Sequence, residues 1–171
     1  MYRSLEQEFG TVDIFVDLHN QGPCYTGETT DGEPTGEYST LSISGRFIDD
    51  LTAFGDWPKF DYNASRRLNV AVFEALQQRG ESPYGAVTLY PQNTNLPGTA
   101  LGSFALRGSA TILFETTGQT QTAGQKRSGQ LTKQVEVGLT AVVDAATDGT
   151  LASIDVERYE SIPERKNISR N

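Results

Sequence analysis

The chain has 171 residues, 36% of them hydrophobic and 21% charged, and carries a formal charge of −8. That length and balance fit a single globular domain, residues 1–171, with a substantial core. They exclude a membrane span, because no apolar run approaches the roughly 20 residues a bilayer crossing needs, and the acidic balance argues against nucleic acid as a partner.

The charge is uneven. Residues 1–60 hold 11 acids and 3 bases, and residues 61–171 hold 11 of each, so the net negative charge lies in the first third. An acidic loop that keeps the surface solvated accounts for this. The segment MYRSLEQEFG lacks the charged-then-apolar pattern of a secretory leader, so nothing in it assigns a compartment. The one cysteine, Cys24, excludes an internal disulfide and a cysteine-rich zinc site.

In chain order, Asp13–His19 (DIFVDLH) reads as a strand. Ile14, Val16 and Leu18 share one face; Phe15, Asp17 and His19 share the other. Both faces are apolar until the end, as in a central strand covered on two sides. Residues 20–36, rich in Gly, Thr, Pro and acids, read as a long loop. Residues 39–52 fit either a short strand or a helix.

A helix is predicted from Ala64 to Arg79, with Leu68, Ala71, Val72, Ala75 and Leu76 as its apolar stripe. Asn63 or Ser65 would cap it and Gly80 would stop it. Tyr84–Tyr90 reads as a strand closed by Pro91, and residues 92–104 as a loop. Ala110–Glu115 (ATILFE) reads as a buried strand, with Ala110, Ile112 and Phe114 on one face and Thr111, Leu113 and Glu115 on the other. A long helix follows at Gln125–Ala146, buried along Leu131, Val135, Leu139, Val142 and Ala146. The tail from Ser153 holds a short strand candidate, residues 151–159, before a polar end expected to fray. Strand, loop, helix, strand, strand, helix indicates an α/β fold, a sheet with helices packed on its faces. Apolar two-sided strands in so small a number suggest part of a larger sheet, with an edge that expects a neighbour.

Chemistry in α/β proteins gathers at strand ends, and two strands here end in His19 and Glu115. A neutral imidazole is a good zinc ligand near pH 7. Asp17, two residues earlier on the same face, is placed to help orient neighbouring groups. A carboxylate such as Glu115 can act as general base on a metal-bound water. The same residues also read as a satisfied structural histidine and a strand-end carboxylate paired with Arg107 or capping a helix.

VDLHNQG, LRGSATILFETTGQ and GQLTKQVEVGLTAVVD together resemble the second half of zinc carboxypeptidases of the carboxypeptidase A type. The resemblance covers nearly the whole chain and implies a mixed, mostly parallel sheet with helices on its faces. It implies His19 as the third zinc ligand, Glu115 as the catalytic base, and zinc as cofactor in the complete enzyme. It further implies a peptide substrate with a free C-terminus and proteolysis by metal-assisted amide hydrolysis. Tyr90, 25 residues before Glu115, stands nearest to the family's mobile tyrosine. Arg107 is a candidate partner for substrate or for Glu115, and the segment around Ala100 and Leu101 for the specificity pocket.

The chain departs from the family in lacking the HxxE motif that supplies the other two zinc ligands, and His19 is its only histidine. The expectation is therefore a truncated catalytic domain whose missing N-terminal half is a partner, with weak zinc binding and little peptidase activity in isolation. Two other readings stand beside it. One is a zinc deacylase of N-acyl amino acids, a related fold that also ends a strand in DLH. The other is a non-catalytic binding module that keeps the fold. Asn63-Ala-Ser and Asn167-Ile-Ser match the glycosylation triplet, a pattern that also arises by chance.

Overall fold

The structure is a computed structural model and describes residues 1–22, 24–31, 33–45, 47, 60–78, 86–117 and 128–167. Eight strands and four helices follow in chain order among these residues. They are α1 (Tyr2–Phe9), β1 (Ile14–Gln21), β2 (Cys24–Tyr25), β3 (Thr29–Thr30), β4 (Glu33–Pro34), β5 (Tyr38–Ile43), α2 (Tyr62–Gln77), β6 (Ala86–Leu89), α3 (Ala100–Ala105), β7 (Ala110–Thr117), α4 (Ser128–Thr147) and β8 (Lys166–Asn167).

The α/β class read from the sequence is the class observed. The longer strands lie in the order β1-β7-β5, with β6 on β5. β1 runs parallel to β7, β5 parallel to β6, and β5 antiparallel to β7. One face carries the main core, where Leu41, Ile43, Ile112 and Phe114 meet Leu68, Val72 and Leu76 of α2 and Val137 and Val142 of α4. Each such side chain contributes about 1.5–3 kcal/mol by leaving water. On the other face Phe15 stacks on Phe104 of α3 at 3.9 Å, and Tyr2 of α1 meets the same ring edge-on at 5.2 Å.

β5 pairs with β7 only from Leu41 to Ile43, so the first half of β7 needs other partners for its outward backbone groups. Polar side chains supply them. Leu113 N donates to Ser44 Oγ (2.7 Å), Thr111 N donates to Ser65 Oγ (3.0 Å), and Asn69 Nδ2 donates to Thr111 O (3.3 Å). This explains fully buried Ser65 and Asn69 on the contact side of α2.

Several boundaries differ from the sequence reading. β1 and β7 each run two residues further, because Asn20 and Gln21 keep pairing with Thr116 and Thr117. The 20–36 loop contains β2 and the β3/β4 hairpin, turned at Asp31 with φ 52°. The ambiguous 39–52 segment is strand at its start; residue 46 and residues 48–52 lie outside the described residues. Asp61, not Asn63 or Ser65, caps α2 by accepting from Ala64 N at 2.8 Å. Arg79, Gly80, Tyr84 and Gln125 also lie outside the described residues. The second half of the expected 92–104 loop is α3, which runs on to Ala105 and is capped by Thr99.

The buried stripe of α4 is Gln134, Val137, Gly138, Val142 and Ala145; Leu131, Val135 and Leu139 are half-buried and Ala146 is exposed. A glycine and a glutamine lie on the contact side because Gly138 admits the Phe114 ring and Gln134 Nε2 bonds Thr40 Oγ1 at 3.1 Å. The expected strand in 151–159 is instead two 3-10 turns, Thr150–Ser153 and Val156–Ser161. Side-chain bonds to the backbone explain this: Asp148, just before the first turn, accepts from Thr150 N, and Asp155 caps the second by accepting from Glu157 N. The tail does not fray through Asn167, since Ile162 and Arg165 are buried and β8 pairs with β2.

The second of those turns clamps α2. The Arg66 guanidinium lies 4.9 Å from the Tyr62 ring centroid and 4.6 Å from that of Tyr159, and pairs with Glu160. Tyr159 donates its hydroxyl to Ser44 O (2.7 Å) and to Gly45 O; burial pushes its pKa well above the ordinary tyrosine value. Glu160 is exposed, so the ion pair itself adds little. Arg66→Ala removes the stacked cation and its buried stem, and should cost about 3 kcal/mol in urea unfolding. A midpoint equal to wild type would contradict the clamp.

Candidate functional site

Direct neighbours in a sheet project to the same face. His19 is register partner of Glu115, Glu115 of Ser42, and Ser42 of Thr88. These side chains therefore form one row across β1, β7, β5 and β6, on the face opposite the main core. The row grades from wet to dry. The His19 side chain is 53% exposed and Asp17 20%, Glu115 falls to 8%, and Ser42 and Thr88 are fully buried. At the dry end Thr88 Oγ1 bonds Ser42 Oγ (2.9 Å) and Ser39 Oγ (2.8 Å). The β5/β6 register shifts between Ser39 and Leu41, which brings both serines to one threonine.

At the wet end His19 Nε2 lies 3.0 Å from Asp17 Oδ1. The i, i+2 spacing of a strand makes this contact, since both side chains lie on one face. A carboxylate on one ring nitrogen fixes the ring and leaves Nδ1 as the donor toward a metal. Thr116 Oγ1 ties the strands further by donating to His19 O at 3.1 Å.

Glu115 is held above the usual carboxylate pKa. Burial is the largest cause; His19 and Arg165 pull it back down and Asp17 pushes it up. Its Oε2 is buried without a hydrogen-bond partner among the described residues. A carboxyl raised this way is suited to take a proton and hold it.

Arg165 carried no sequence signal. The strap after Val156–Ser161 pins to the end of β6, where Leu89 N donates to Pro163 O (2.7 Å) and Arg165 N to Leu89 O (3.2 Å). The buried guanidinium then lies 4.5 Å from the Tyr90 ring centroid. Tyr90 thus enters the site as the surface on which Arg165 lies. Arg107 does not join it. It sits before β7, at the end away from Glu115, donating to Ser103 O (2.6 Å) and Ser103 Oγ (3.1 Å) and lying over Tyr2. Ala100 and Leu101 open α3, with Leu101 buried. Cys24 is placed in β2, paired with Ser39 and Asn167.

Against zinc, the residues fit in part. His19 suits one ligand position and Glu115 the general-base position. Among the described residues, no group of three or more His, Cys, Asp and Glu converges to hold a metal, and a zinc site needs at least three protein donors. No family model matches the chain, and neither a curated protein nor a solved structure matches it.

Proposed function

We propose that this face carries the general base and one metal ligand of a zinc-dependent hydrolase that cleaves the C-terminal peptide bond, in the manner of carboxypeptidase A. The observation that supports it is the register pairing of His19 with a buried, proton-retaining Glu115. Glu115 takes a proton from the attacking water and hands it to the departing amine. Asp17 holds the imidazole, while His19 and Arg165 keep the buried carboxyl ionisable. A zinc held by His19 and further donors would supply Lewis acidity toward the scissile carbonyl. The chain carries no HxxE pattern, so the other metal donors would have to come from outside it. The same face would serve a deacylase of N-acyl amino acids, and the partial donor set favours the non-catalytic binding module as the second reading.

His19 is the only histidine, so its ring nitrogens report zinc without ambiguity. In a zinc titration followed by nitrogen NMR, Nδ1 should shift, saturating only at high zinc. Asp17→Asn should weaken that response about tenfold or more. Hydrolysis of N-blocked dipeptides by the chain alone should stay near background. An imidazole unmoved by zinc overturns the metal-ligand role and leaves the binding module; brisk hydrolysis abolished by His19→Ala overturns the one-ligand account.

A further inference from the structure

The far end of β7 holds a second feature. The segment from Pro97 to Arg107 wraps a cavity of about 330 Å³, within the range of small-molecule sites. Pro97 and Ala100 give it an apolar wall, and Ser103 and Arg107 a polar one. Gly98, at φ +90°, has nothing within 4 Å of where a Cβ would lie, so that side of the loop is open.

Arg107 is set in place from two directions. Its Nη1 donates to Ser103 O at 2.6 Å and Ser103 Oγ at 3.1 Å, and its guanidinium carbon lies 5.3 Å from the Tyr2 ring centroid. Tyr2 rests on Phe104, which stacks on Phe15 of β1, so the platform beneath the cation is part of the sheet packing. A cation oriented in advance binds at lower entropic cost, and a guanidinium suits a carboxylate by offering parallel N–H donors.

We propose that this cavity binds a small organic carboxylate with a short apolar chain, the carboxylate on Arg107 and the chain against Pro97 and Ala100. The site lies at the opposite end of β7 from Glu115 and does not depend on the hydrolase reading.

The test uses the full chain, amide NMR spectra, and isovalerate as the probe, with isovaleramide and inorganic phosphate as the other arms. Isovalerate should shift the Gly98, Thr99, Ser103 and Arg107 amides saturably. The neutral amide should bind at least tenfold more weakly, and phosphate should leave these amides in place. Arg107→Lys should weaken the response several-fold. Ala100→Phe, which fills the cavity and leaves Arg107 untouched, should abolish it, while His19→Ala should preserve it. Absence of a saturable shift, an equal response to the neutral amide, a response to phosphate alone, or one that survives Ala100→Phe would overturn the proposal.

Discussion

Gly45→Ala should cost more than about 4 kcal/mol, enough to unfold a domain of this size or bring it close. A Cβ at Gly45 would fall on the carbonyl of Tyr90, and the atoms it meets are all backbone. Neither side can yield. Tyr90 N donates to Ile43 O at 2.8 Å, which holds the end of β6 against the end of β5. Tyr159 holds Ser44 and Gly45 from the other direction through its hydroxyl. Gly138→Ala is the useful comparison. Its Cβ would meet the tip of the Phe114 ring and, at 3.5 Å, Val72 Cγ1. A ring can shift where a backbone cannot, so about 1–3 kcal/mol is expected. Urea unfolding of both variants checks the order. A Gly45→Ala protein as stable as Gly138→Ala would contradict the close approach of the two strand ends.

Glu115→Gln should make the protein more stable at pH 7 and flatten its pH dependence. The Glu115 pKa is raised by folding, so the folded chain keeps this proton to a higher pH than the unfolded chain. The folded state then binds more protons through that window, and stability falls as pH rises through it. The contribution is complete below the ordinary carboxylate value of 4.5 and is lost once pH passes the raised folded value. Glutamine has no charge to desolvate at any pH. Urea midpoints of wild type and variant should therefore lie closest at low pH and separate above it, with the variant higher. A variant less stable than wild type at pH 7 would mean that the ionised carboxylate is held by partners stronger than its burial. A stabilising loss of this kind is the usual mark of a group kept for chemistry rather than for the fold.

The faces of β1 and β7 were legible in the sequence because a strand alternates rigidly. Ile112 and Phe114 do point to the main core, and Glu115 does point away from it. His19 and Glu115 could be picked out singly as ends of apolar runs. Their register pairing could not, since no local pattern states which strands become neighbours. Arg165 was illegible for a related reason. It belongs to a charged tail without periodicity, and the backbone bonds of Pro163 and Arg165 to Leu89 bring it to Tyr90. The α4 stripe turned because shape, not hydropathy, chose its contact side, as Gly138 against Phe114 shows. α3 leaves no signal in the sequence because six residues are too few to display a helical period.

The most direct test of the His19–Glu115 site is a cobalt titration of the full chain, read as loss of amide signal intensity. Cobalt is a paramagnetic stand-in for zinc, and it quenches amides near where it binds. Signals of residues 17–20 and of Glu115 and Thr116 should fade first and together, while those of residues 103–109 persist. Losses centred instead on the acidic segment of Glu28, Asp31, Glu33 and Glu37, with the amides around Glu115 untouched, would contradict the site.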